Sequence, residues 1–226
     1  ILATLSIKSL PDSKTKAILI DASQIFITDI YNTSYFSNQP GGPGMNFDSR
    51  NSNFESVKSF PLNTEIAVRL HYKTNRPQGE EAWQNQYSYF LTTHYSLYAL
   101  RKTDYVPRYS DDRVGNFLTV VQDYSDFNLK TPYVRYVERW NIRKKDTLLP
   151  LSEPVTPVVY WIENTVPKEY RDAFAEGIEF WNHSFEKIGI RNAVIAKQMP
   201  DTADWDPEDA RFNVVRWIIV PGSAYA

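Results

Sequence analysis

The chain has 226 residues, 42% apolar and 15% aromatic, with 15 Tyr and 12 Phe, a composition that excludes a disordered polymer and favours strands. Twenty-five basic against 27 acidic residues leave a net charge of −2 with no Lys/Arg run able to neutralise a line of phosphates, so nucleic acid is not an expected partner. Cysteine is absent, which removes disulfides, thiolate catalysis and Cys-ligated zinc, and no stretch approaches the ~20 apolar residues of a membrane span.

The start, ILATLSIKSL, has no initiator Met, no basic leader and too short an apolar run for a signal peptide. The end, VVRWIIVPGSAYA, stops just after an apolar run. The chain is therefore expected to be a piece of a longer precursor. Within residues 1–36, ILATLSI, KAILIDA and QIFITDIY read as strands separated by the turn-like PDSKT, with one possible helical turn near Ser23. Residues 37–53, SNQPGGPGMNFDSRNSN, collect Gly, Pro, Asn and Ser and predict a long loop.

TEIAVRLHY follows, with Ile66, Val68, Leu70 and Tyr72 in period two, the pattern of a half-buried strand. TTHYSLYAL, VGNFLTVVQDY and YVRYVERWNIRKK read as three more strands, and residues 1–150 show no convincing helical periodicity. The first two-thirds is expected to be an antiparallel β domain. Three prolines between Pro150 and Pro157 mark residues 149–157 as a linker. This divides the chain into a β-rich domain of residues 1–149 and a second part of residues 150–226.

In the second part VVYWIE reads as a short buried strand. Pro167 suits the first position of a helix. Phe174, Ile178, Trp181, Phe185 and Ile188 then recur at helical steps as one apolar stripe, and Gly189 ends it. NAVIAKQM and FNVVRWIIV are two further strands, so this part reads β-α-β-β and the fold class is α+β. Within FAEGIEFWNHSFEKIG, residues 174–189, a Trp, a His and three Glu invite a zinc reading. A helical zinc pair, however, needs His at i and i+4, and the positions four away from His183 are Glu179 and Lys187. His183 is expected on the helix surface, with Glu176, Glu179 and Glu186 mainly toward solvent.

His71 and His94 fall in separate strands and are read as unrelated to His183. DTADWDPED offers Asp201, Asp204, Asp206, Glu208 and Asp209 as oxygen donors, but it lacks the mid-loop Gly of a calcium loop, and Pro207 restricts it. It is read as a solvated turn with Trp205 tucked inward. In DDRVG, residues 111–115, Arg113 is expected to pair with a carboxylate in a structural turn. No G-x-S-x-G elbow, P-loop or dinucleotide fingerprint occurs, and no nucleophile can be assigned a base. The aromatic residues could form a stacking platform for sugars or peptides, although alternate strand aromatics are more often core or cross-strand pairs.

Three segments carry a resemblance: VPRYSDDRVGNF (106–117), YVERWNIRKKD (136–146) and SEPVTPVVYWIENTVPKEYRDAFAEGIEFWNHSFEKIGIRNAVIAKQMPDTADWDPEDARFNVVRWI (152–218). They resemble a bacterial family of secreted zinc-dependent metalloproteases of metzincin type, in which a β-rich N-terminal domain of unknown function precedes the protease. The resemblance implies that VVYWIE is the first strand of the catalytic domain, residues 167–188 its first helix, and AVIAKQM and FNVVRWII its next strands. Trp181, Phe185, Trp205, Asp206 and Trp217 match family positions as scaffold, whereas Asn116 stands where the family more often has an aromatic.

The family's H-E-x-x-H-x-x-G-x-x-H motif has no counterpart here, because the chain contains no His-Glu pair. The resemblance therefore assigns no catalytic, cofactor-binding or metal residue in these 226 positions. It implies an inert fragment of a zinc metalloendopeptidase. Zinc, a peptide or protein substrate, and a secreted or periplasmic location belong to the whole protein. The alternative is a non-enzymatic β-rich module that recognises a glycan or a protein. A first domain acting as a prosegment over the active cleft is compatible with the protease reading.

Overall fold

A computed structural model describes residues 5, 7–74, 76, 87–100, 102–125 and 130–218. The strand expectation for ILATLSI and the last residues of FNVVRWIIV lie largely or partly outside these. The chain folds as two compact units: residues 1–99 with 208–210, and residues 100–207 with 211–226.

The first unit is built on one long strand. β1 (Met45–Phe47), β2 (Asn53–Ser59), β3 (Asn63–Thr74) and β4 (Ser88–Tyr98) form an antiparallel sheet with β3 at its centre. β4 pairs with β3 from Asn63 to Lys73, while β2 and then β1 pair with its other edge. The expected period-two pattern holds on β3: Ile66, Val68, Leu70 and Tyr72 are buried with Phe26, and Phe54 and Tyr95 pack against them. Phe26 meets Tyr95 edge-on at 5.0 Å.

Upstream of the sheet the chain departs from the strand reading. QIFITDIY forms no strand. Instead α1 (Ser23–Phe26) and α2 (Thr33–Ser37) form, and Ile7 and Ile20 meet as an isolated bridge. Asp29 holds the start of α2: its carboxylate accepts the backbone N–H of Thr33 and Ser34 at 2.8 Å and the Tyr72 hydroxyl at 2.9 Å, taking up N–H groups that the first turn of a helix leaves without partners. The expected long loop of residues 37–53 holds β1 and a short 3₁₀ turn, Ser49–Asn51, within it.

In the second unit β5 (Leu118–Gln122) and β6 (Tyr133–Val137) form an antiparallel pair, shorter than the apolar runs predicted. β7 (Val158–Ile162), β8 (Val194–Gln198) and β9 (Asn213–Val215) form a parallel sheet in the order β8-β7-β9. Parallel neighbours need a crossover, and the segment between β7 and β8 supplies it with α3 (Lys168–Glu179) and α4 (Asn182–Lys187).

The single helix expected over residues 167–188 is thus two, with Phe180 and Trp181 between them. Asn182 accounts for the break: its side chain donates to the Val194 carbonyl at 2.8 Å and accepts the Val194 N–H at 3.0 Å, tying the start of α4 to β8. Glu179 departs from a purely solvent-facing role by accepting the Ala196 N–H at 3.1 Å. Gly189, at φ +84°, ends α4 as expected for a glycine stop.

Candidate functional site

The apolar stripe of the crossover helices lines an open cleft in the second unit. Phe174, Ile178, Trp181, Phe185 and Ile188 all border this cleft of about 1110 Å³, larger than the usual small-ligand pocket. Ile178 and Phe185 reach inward to pack on Ile190, Ala193 and Val194. Trp181 and Ile188 are instead 63% and 66% exposed at its rim. Tyr160 of β7 and Trp140 close the cleft floor, edge to face at 6.4 Å. Trp217 completes one wall, stacked on Tyr170 at 5.5 Å and edge-on to Phe174 at 6.3 Å.

Among the described residues, the charged side chains in the lining are Arg108, Glu138 and Arg139. The cleft therefore offers an apolar partner a surface, and no serine, threonine or histidine of the described chain stands in its lining. Exposed apolar area of this kind marks a binding surface more often than a tolerated defect.

The histidines are dispersed. His183 is exposed on α4, where its Nδ1 lies 3.0 Å from the Phe180 carbonyl. His71 and His94 both lie on the sheet of the first unit, but in different constellations. On β3, Glu65, Arg69, His71 and Lys73 point away from the face that carries Ile66, Val68, Leu70 and Tyr72. Their register partners on β4 are Ser96, Thr92, Phe90 and Ser88.

Glu65 is buried and accepts from Asn63 at 2.5 Å, Ser96 at 2.5 Å and His94 Nε2 at 2.7 Å. Burial alone would raise its pKa, but the Ser96, Asn63 and His94 hydrogen bonds outweigh it and hold the carboxyl below its ordinary value. Asn63 also donates to the Glu208 carbonyl and accepts the Ala210 N–H, at 2.8 and 2.9 Å. This network is centred on its carboxylate and accounts for the burial of Glu65 by pairing it.

A second network is centred on its histidine. Asp48 follows β1 and lies across the ladder from His71, donating its backbone N–H to the His71 carbonyl at 2.9 Å. His71 Nδ1 is 3.2 Å from Asp48 Oδ2, and His71 Nε2 is 2.6 Å from Ser88 Oγ. The imidazole is 4% exposed, and the Phe90 ring lies 4.7 Å from it. The Arg69 guanidinium sits over the other residue of that pair, 4.1 Å from the Phe90 ring centre. Asp48 is held well below the ordinary carboxylate range, first by the Lys73 ammonium and then by the Asn51 amide, with His71 adding to both against the opposing effect of burial.

These three residues stand 23 and 17 positions apart in the chain. No local motif joins them. Only the register of β1, β3 and β4 sets them in a row.

The acidic stretch departs from its solvated-turn reading at Asp209, which is buried, while the Arg113 and Trp205 expectations hold. Arg113 grips Asp111 through both its Nε and Nη2, the former at 2.8 Å. Its guanidinium and its backbone N–H hold that carboxyl down to about 2. Trp205 stacks on Phe212 at 4.1 Å and meets Trp161 edge-on. Among the described residues no three His, Asp or Glu side chains come together as a metal-holding group, and no helix is long and apolar enough to cross a membrane.

No curated protein and no solved structure matches the chain. A family model does match, over residues 1–145. That span takes in the four-stranded sheet with the Asp48–His71–Ser88 network and the side chains around Glu65, and the β5–β6 pair. With well over half of the 226 residues inside it, the chain belongs to the DUF5117 family, a domain of unknown function.

Proposed function

We propose that this chain is a part of a zinc-dependent metalloendopeptidase that does not carry its zinc motif: the β-rich domain of residues 1–149 followed by the opening strands and helices of a metzincin-like catalytic domain. The observation that carries the reading is the open apolar cleft in the second unit. Its lining comes from the helical stripe of residues 174–188 and from Trp217, within the segment whose sequence resembles that family. A further apolar element of the parent protein would cover it, removing Trp181 and Ile188 from water.

The described residues do not fit a zinc ion, since no three potential ligands converge. The parent's zinc would be held by residues outside them, and its substrate would be a peptide or protein. Export to the periplasm or medium belongs to the same proposal.

The test is the complete gene product. It should contain an H-E-x-x-H motif, bind about one zinc per chain by mass spectrometry of metals, and cleave a protein substrate in a chelator-sensitive way. The 226 residues alone should neither bind zinc nor cleave that substrate. A complete product with no such motif and no bound zinc refutes the reading. The alternative, a glycan- or protein-recognition module, would need a continuous exposed aromatic row. On the outer face of β4, however, Phe90 and Tyr98 are separated by Thr92, His94 and Ser96.

A further inference from the structure

We propose that Ser88, His71 and Asp48 form an acyl-transfer site in the first unit, with Ser88 as a nucleophile toward carboxylic esters bearing an apolar acyl group. This site does not depend on the zinc reading and shares no residue with the apolar cleft.

The geometry assigns each role. Asp48 accepts from His71 Nδ1 at 3.2 Å, which places the ring proton on Nδ1 and leaves Nε2 as the acceptor. The Ser88 hydroxyl, 2.6 Å away, is the donor to that nitrogen. Nucleophile, base and orienting carboxylate in series are recognised by geometry and role, not by sequence order. Asp48 is the positioning residue. It is fixed by the Arg50 N–H at 3.3 Å, the Asn51 amide at 2.7 Å and the Lys73 ammonium.

His71 is fixed as well. Its N–H donates to Ser52 Oγ and its carbonyl accepts from Asp48 N, each at 2.9 Å. The neighbouring Glu65 network has the same residue types in a different order. There the carboxylate accepts from both His94 and Ser96, so the serine proton points at the carboxylate and not at a histidine nitrogen. Beside Ser88, Phe90 is 46% exposed, its ring flanked by His71 and by the Arg69 guanidinium, and its uncovered part is an apolar surface for an acyl chain.

In the reaction, the Ser88 Oγ–acyl carbon bond forms as the hydroxyl proton passes to His71 Nε2. The bond from that carbon to the alkoxy oxygen then breaks, and the leaving alkoxide takes the proton from Nε2. Water next adds to the acyl carbon and gives its proton to Nε2. Ser88 departs with that proton, releasing the carboxylic acid. No oxidant, reductant or metal enters.

The test is active-site labelling of the full chain with an alkyl fluorophosphonate, followed by peptide mapping, alongside release of nitrophenolate from p-nitrophenyl butyrate. The native chain should carry one adduct, on Ser88, formed at least about 10²-fold faster than on the urea-unfolded chain. Ser88→Ala should abolish adduct and esterase signal while keeping its circular dichroism, and Asp48→Asn should slow labelling about 10²-fold. Labelling spread over exposed serines, an unmodified Ser88, or equal rates in native and unfolded chains would overturn the proposal, whether or not the Asp48 variant folds.

Discussion

Tyr72→Phe tests the link between β3 and the turn that precedes the sheet. Tyr72 is 1% exposed, and its hydroxyl donates to Asp29 at 2.9 Å. Phenylalanine keeps the ring against Phe47 and the Phe26 cluster, so no cavity opens beyond one oxygen atom. Asp29 keeps the Thr33 and Ser34 N–H donors, so no bare buried charge is stranded. The main loss is then the hydrogen bond to a charged acceptor, about 1.5 kcal/mol, at the low end for such bonds, with the Thr33 side chain also losing the hydroxyl as a partner. With a urea slope of about 2 kcal/mol/M, the midpoint of the first unit should fall by somewhat less than about 1 M.

The same hydroxyl also gives a signature in pH. Burial, with the Asp29 carboxylate adding, pushes the phenol up to about 12, above the unfolded value of about 10. In that window the folded state keeps a proton that the unfolded state releases, so wild-type stability falls as pH rises from about 10 toward about 12. Phenylalanine has no such loss, and the gap between the two proteins should narrow over that window. Circular dichroism and hydrogen exchange of the β3 amides in urea, at about pH 8 and near pH 11, measure both effects. A midpoint unchanged by the substitution, or a gap that widens at high pH, would refute the reasoning.

Asn182→Ala removes both side-chain bonds to Val194 and strands a buried N–H and C=O. Tryptophan fluorescence in denaturant should report a loss of about 2–3 kcal/mol in the second unit. Gly189→Ala places a methyl at φ +84°, against the Lys144 side chain and the backbone oxygen of Pro150. Since the backbone oxygen cannot swing aside, thermal melting should show more than about 2 kcal/mol of destabilisation. Arg113→Ala should raise the Asp111 carboxyl from about 2 toward its ordinary value, seen by NMR titration. The backbone N–H of residue 113 remains to keep it somewhat low.

The sequence alone determined the features that follow from local periodicity and stereochemistry. Alternation of Ile66, Val68, Leu70 and Tyr72 identifies β3 and its buried face, because successive side chains on a strand point to opposite sides. The step pattern from Phe174 to Ile188 identifies a helical apolar stripe, the Gly189 stop is legible beside it, and the Asp111–Arg113 turn needs only two residues of separation. QIFITDIY misleads for a related reason. Its β-branched residues favour a strand, while the Asp29 carboxylate within it is tied to the start of α2 and to Tyr72, 43 positions away.

Tertiary structure decided the rest. The break between α3 and α4 depends on Asn182 reaching a strand that comes later in the chain. The stripe lines an open cleft instead of packing wholly on the sheet: Ile178 and Phe185 pack on Ile190, Ala193 and Val194, while Trp181 and Ile188 stay exposed. The Asp48–His71–Ser88 row is invisible in sequence, since no periodicity links a residue just past β1 with residues on β3 and β4. Ladder register brings them within hydrogen-bond reach, and register is a property of paired strands, not of any one of them.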